Sequence, residues 1–136
     1  MRYGLEEINY INLMERVTKA KVKDCYIDRK GILVFIINYG DAGRAIGKAG
    51  ANIKRISALL KKPIKVIEFN PKPEIFVENL IKPVNGKVYK GENGTIFVEM
   101  KGVADKASLL GKNKKNLADL NQIIKKYFKD TEIKVV

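Results

Sequence analysis

With 136 residues, 46% of them hydrophobic, the chain has room for one ordinary domain or two very small ones. Its 27 basic side chains against 15 acidic ones give a formal charge of +12, so its natural partner is a polyanion, either nucleic acid or an acidic membrane surface. Histidine and tryptophan are absent, which removes the commonest general base, the usual zinc and iron ligand, and any Ser-His-Asp or Cys-His device.

In chain order, residues 5–18 place Leu5, Ile8, Ile11 and Val17 at helical spacing, with Leu13 and Met14 beside them, and predict an amphipathic helix. Glu6 and Glu7 read as its solvated first turn rather than as a catalytic carboxylate pair. Residues 21–28 alternate and residues 32–37 form a continuous apolar, β-branched run, so two strands are expected, joined by a turn at Asp28, Arg29, Lys30 and Gly31. The single cysteine, Cys25, lies in the first of them and is expected to be a small buried hydrophobe in a reducing cytoplasm. Asp41 is placed as the N-cap of a short helix ending at Ile46. Residues 50–61 set Ile53, Ile56 and Leu60 on one face of a further helix, and residues 64–69 form a last strand. Asn70, Pro71, Lys72 and Pro73 then make a stiff joint, expected to hold what flanks it as a fixed, mutually packed pair.

Beyond the joint the order repeats. Helices are expected at 74–81 and 103–110, strands at 87–89, 95–101 and 132–136, and a helical stripe at Leu117, Leu120 and Ile124. Asn93-Gly94 supplies the hairpin turn. At an offset of 64 positions Gly47-Lys48 meets Gly111-Lys112, Asp41 meets Asp105, and Asn52 meets Asn116. At the same offset Ile32, Leu33 and Val34 meet Ile96, Phe97 and Val98. Ile64-Lys65-Val66 and Ile133-Lys134-Val135 close the two copies after a small insertion. Residues 1–71 carry +7 and residues 72–136 carry +5, so both halves are candidates for the same partner.

The stretch Ala45-Ile46-Gly47-Lys48-Ala49-Gly50-Ala51-Asn52 is the most informative. A Walker loop needs glycine at position 42 and Ser or Thr at 49, where alanines stand, and glycines at 43, 47 and 50 do not make a dinucleotide fingerprint. What remains is G-x-x-G between two helices. Its missing side chains would let a sugar-phosphate backbone touch the main chain, beside a helix N-terminus that favours anions. Lys48, Lys112, Lys114 and Lys115 stand at helix N-termini, where a cation is unfavourable by about 0.3–1 kcal/mol. A local rule broken in both copies suggests an anionic ligand, against the bland reading that exposed lysines are screened by salt.

Residues 46–56 resemble the core of the KH-domain family: an aliphatic residue, G-x-x-G, then aliphatics at helical spacing. With a helix and two strands before the loop and one strand after it, each copy is similar to the type II arrangement, and two such copies resemble the archaeal NusA-like transcription factors. The resemblance implies an α+β fold of two tandem type II KH domains, at 1–71 and 72–136, each a three-stranded sheet packed on helices. It implies single-stranded RNA as partner, with each loop clamping about four nucleotides. By residue match Gly47, Lys48, Ala49 and Gly50 would grip the backbone, and Ile46, Ile53, Lys65, Val66 and Ile67 would floor the groove. Arg44 and Lys54 are added as phosphate contacts. In the second copy Gly111, Lys112, Asn113, Lys114 and Lys115 are the candidates, although Lys114 replaces the fourth-position glycine. There it would either hold the RNA backbone away or pair a phosphate directly.

No catalytic residues, metal or cofactor are expected. The expected protein is a soluble cytoplasmic monomer without a membrane partner, because no apolar run approaches the roughly 18 residues a spanning helix needs. RNA polymerase is a further candidate partner. The alternative is a ribosome-associated or ribosome-assembly RNA-binding protein. Ile56 and Leu120 are expected in the core. Tyr3, Tyr10, Tyr26 and Tyr39 are weighed as base-stacking residues against the commoner buried or edge-capping tyrosine.

Overall fold

The computed structural model describes residues 5–84 and 86–136, which leaves Tyr3 outside. The apolar spacing of the N-terminal segment becomes helix α1, Leu5–Thr18. Thr18 closes it by donating its Oγ1 hydrogen to the carbonyl of Met14 at 2.7 Å, while the same oxygen accepts the N–H of Ala20 at 3.1 Å. Strand β1, Val22–Ile27, then pairs antiparallel with β2, Leu33–Ile37. The turn between them is held by Asp28, whose Oδ1 accepts the N–H groups of Lys30 and Ile32, both at 2.9 Å.

Every residue of β2 is buried, as its unbroken apolar run requires of a central strand. On one side it pairs with β1 and on the other, in parallel, with β3, Ile64–Glu68. A parallel neighbour needs a crossover. Here it consists of α2, Ala42–Ile46, a tight turn at Lys48–Gly50, and α3, Ala51–Leu60. Leu33, Phe35 and Ile37 pack with Met14, Cys25, Ala45 and Ile56 into one core, so the helices cover one face of the sheet. Ile56 is fully buried. Burial, with Asp24 and then Glu7 adding to it, pushes the Cys25 thiol up to about 12.

Asp41 does not cap α2 with its side chain. Its backbone is helical (φ −103°, ψ −3°) rather than extended, which turns the carboxylate away from the amides of its own helix. Oδ2 instead accepts the N–H of Lys21 at 3.0 Å, tying the helix entrance to the start of the sheet. The Ala42 N–H reaches across to the Glu68 carboxylate at 3.4 Å.

The chain divides into two compact units, Met1–Phe69 and Asn70–Val136, and the second repeats the order of the first. Helix α4, Pro73–Ile81, starts on a proline, whose fixed φ suits the first helical position. Strands β4, Gly86–Lys90, and β5, Thr95–Met100, form the hairpin, with Asn93 (φ 58°) and Gly94 (φ 76°) both left-handed at the turn as Asn-Gly predicts. Helices α5, Val103–Leu110, and α6, Lys115–Tyr127, lead to β6, Glu132–Val135, parallel to β5. Phe76, Ile96, Val98, Ile124 and Ile133 are buried, as is Leu120, and the Phe76 ring meets Tyr127 edge-on at 5.9 Å. The fold is thus α+β, with two three-stranded sheets packed on helices.

The repeat is not in register at the central strands. Leu33 pairs with Ile64 and Ile96 with Ile133, so Leu33 corresponds to Ile96 and Phe35 to Val98, one position from the matching of Leu33 with Phe97. One residue of slip exchanges the faces of a strand. The second copy absorbs it before its loop, where α5 has eight residues against five in α2.

Candidate nucleic-acid interface

Gly47 ends α2 at φ 77°, ψ 171°, after which the chain turns through Ala49 at φ 54°, ψ 30° and Gly50 at φ 75°, ψ 15°. The second loop follows the same path: Gly111 at 75°, 173°, Asn113 at 55°, 30°, and Lys114 at 59°, 23°. Each turn closes with one hydrogen bond of 3.1 Å, from Gly50 N–H to the Gly47 carbonyl and from Lys114 N–H to the Gly111 carbonyl. Loss of the fourth-position glycine therefore leaves the backbone unchanged. It places a non-glycine residue in left-handed geometry, which costs about 1–2 kcal/mol.

The glycines serve different needs. A Cβ at Gly47 would lie 2.8 Å from Asn52 Cγ and 2.9 Å from its backbone nitrogen, and one at Gly111 would lie 2.7 Å from Asn116 Cβ. The missing side chain at position 47 thus makes room for the first turn of α3, a need within the chain that the sequence expectation did not include. At Gly50 a Cβ would meet nothing within 4 Å, so only the left-handed φ favours glycine there, and Lys114 shows that it can be replaced.

Lys48 and Ala49 are exposed at the tip, as are Lys112, Asn113, Lys114 and Lys115. Ile46, 37% exposed, sits at the end of α2, and the Arg44 guanidinium is exposed with Nη1 3.9 Å from Asp41 Oδ1. Along α3 and the turn into β3 an open groove of about 720 Å³ is lined by Ile53, Ala58, Pro63 and Ile64, with Lys54, Lys61, Lys62 and Ser57 contributing its polar groups. An apolar strip edged by ammonium groups can seat a base while the charges meet its phosphate.

Of the expected groove residues the structure brings Ile53 and Lys54 into this groove but not Lys65, Val66 or Ile67. Val66 packs toward the core and Ile67 is 3% exposed. Alternation along β3 sends Lys65 and Ile67 to the face away from the helices. There burial lowers the Lys65 pKa, partly opposed by Asp28 and reinforced by Lys30. Ile64 lines the groove instead. Sequence reasoning passed over Lys61 and Lys62 as ligands, although their recurrence as Lys125-Lys126 was a usable signal. Among the weighed tyrosines, Tyr39 is 63% exposed, whereas Tyr10 packs against the first core. Among the described residues no group of His, Cys, Asp and Glu could hold a metal ion, and no helix is long and apolar enough to cross a membrane.

The KH-domain family profile matches residues 8–103, most of the chain, and the chain belongs to that family. Within it the chain is NusA-like, of the archaeal kind. It is 29% identical over 140 residues to the probable transcription termination protein NusA of Methanocaldococcus jannaschii, which covers all of this chain and 75% of that protein. It is 25% identical over 138 residues to the protein of the same name from Halobacterium salinarum, covering 99% of this chain and 98% of that one. Among solved structures, the crystal structure of APE1850 superposes with a TM-score of 0.67 at 28% identity, covering 98% of this chain and all of the other.

Proposed function

We propose that the chain is a single-stranded RNA-binding protein acting as a NusA-like transcription elongation and termination factor, built as two tandem type II KH domains. The observation that carries this reading is the Gly-Lys turn, present twice with one backbone geometry and exposed cations at its tip. In the first unit that turn opens the same helix, α3, whose Ile53 and Lys54 line the apolar, lysine-edged groove. Gly47, Lys48, Ala49 and Gly50 receive the sugar-phosphate backbone, Ile53 and Ile64 floor the base site, and Lys54, Lys61 and Lys62 neutralise phosphate. In the second unit Lys112 stands where the first has Lys48, Lys114 offers charge where the first offers the bare main chain of Gly50, and Lys115 adds a further cation. The archaeal relatives named for transcription termination favour nascent transcripts as the RNA and RNA polymerase as the neighbouring machine. The family and the relatives' names also favour a binding factor over an enzyme.

The test is a fluorescence-anisotropy titration with a labelled decauridylate at several salt concentrations. Micromolar affinity with a slope of log affinity against log salt near −3, as for about four neutralised phosphates, is the expected result. Binding that is absent, or indifferent to salt, overturns the reading. Addition of the protein to archaeal RNA polymerase transcribing a terminator template should shift the fraction of terminated transcript, and an unchanged fraction would remove the transcriptional role.

A further inference from the structure

The turn that presents Lys48 is joined at both ends to helices, and nothing in a glycine-rich segment itself fixes the angle between them. The structure supplies a brace. Asn52, in the first turn of α3, donates its side-chain Nδ2 hydrogen to the carbonyl of Arg44 in α2 at 2.7 Å. Asn116, at the same place in α6, donates to the carbonyl of Leu109 in α5, again at 2.7 Å. Both carbonyls belong to the last turn of a helix, where backbone acceptors lack intrahelical donors and carry the negative end of the helix dipole. Gly47 and Gly111 lie directly against these asparagines, since a Cβ added at either would stand 2.8 Å from Asn52 Cγ or 2.7 Å from Asn116 Cβ. The same kind of bond appears in both segments, although its acceptor stands three residues before the glycine in the first and two in the second, and although the other loop residues differ, Ala49-Gly50 against Asn113-Lys114.

We propose that Asn52 and Asn116 are positioning residues for the two loops, each bracing the helix before the turn against the helix after it so that the exposed Gly-Lys turn keeps one shape. The amide also covers a carbonyl that would otherwise face an incoming phosphate with negative charge. The inference rests on the RNA-binding reading for its functional consequence, but the brace itself is a property of the free protein.

The test uses the full chain and Asn52→Ala, which favours the helix and adds no charge. In the free variant the backbone order parameters of the amides at 48–50 should fall. Affinity for labelled decauridylate should fall about tenfold with little change in melting temperature, and Asn52→Gln, which keeps an amide donor, should recover part of that loss. Asn116→Ala makes the same measurement on the second loop and serves if Asn52→Ala does not fold. Wild-type affinity in a folded alanine variant overturns the positioning role whatever the loop order. If the wild-type protein itself fails to bind, the RNA reading is what falls, and unchanged order parameters in the variant would then defeat the brace as well.

Discussion

The first loop turns on a glycine at each end and the second on a glycine and a lysine, yet the two backbones coincide. The difference shows which glycine the architecture demands. Gly47 and Gly111 are held against the start of the following helix, whereas the position of Gly50 and Lys114 opens on empty space. The first copy presents main chain at that place and the second presents an ammonium group. A ligand meeting both would find the same curve with different chemistry on it.

Reversing charge at one tip should break the comparison most strongly. Lys48→Asp with Ala49→Asp is expected to weaken decauridylate binding about a hundredfold while leaving the fold intact, because both positions are exposed and aspartate tolerates the left-handed φ at 49. Lys112→Asp with Asn113→Asp poses the same question to the second loop, and the ratio of the two losses measures how the work is shared. Undiminished binding in the first double variant rules out the first loop as a ligand site.

The next effect is on stability. Gly47→Ala and Gly111→Ala should each cost about 3 kcal/mol by chemical denaturation, from left-handed strain together with collision, while Gly50→Ala should cost about 1 kcal/mol from strain alone. Equal costs at 47 and 50 would mean that contact with Asn52 does not matter.

A pH experiment separates the two units more gently. Cys25 stands opposite Phe35, where the second unit has Val88 opposite Val98, so only the first carries a buried thiol in this place. Its pKa is raised from 9.0 to about 12, so this contribution to stability is complete below pH 9 and drains away as pH climbs toward 12, by at most about 1.4 kcal/mol per unit. Amide protection in β1 and β2 should decline over that range, and Cys25→Ala should remove the decline. The smallest effect is expected from Lys114→Gly, a gain of about 0.5 kcal/mol once relief of left-handed strain is set against the greater freedom of unfolded glycine.

Much of this organisation was legible before any coordinates. Helical spacing at 5–18 and the unbroken run at 32–37 placed α1 and β2, and Asn93-Gly94 marked its hairpin. What escaped was whatever depends on a partner distant in sequence. Asp41 looks like a cap for its own helix, and only the folded chain shows its carboxylate accepting the Lys21 N–H. The one-residue slip between Leu33 and Ile96 is invisible because both strands are apolar at neighbouring positions. Val34 and Ile36 are buried, while Phe97 stacks on Tyr89 at 5.4 Å on a more open face. In the candidate site the loop and α3 were readable from local pattern, but alternation on β3 sends Lys65 and Ile67 to the other face, and Val66 is taken up by the core. The packing need at Gly47 is hidden in the sequence because Asn52, five residues along, returns to it only once the turn has formed.

Because the first Gly-Lys turn lies inside the connection between the parallel strands β2 and β3, it takes its shape only after that connection has closed. An unfolded chain offers no such seat, so occupancy and folding are linked by mass action. At a free ligand concentration a hundred times the dissociation constant, the linkage adds about 2.7 kcal/mol to the stability of the occupied unit. Under the proposed reading, single-stranded RNA would then act as a thermal protectant for the protein that binds it.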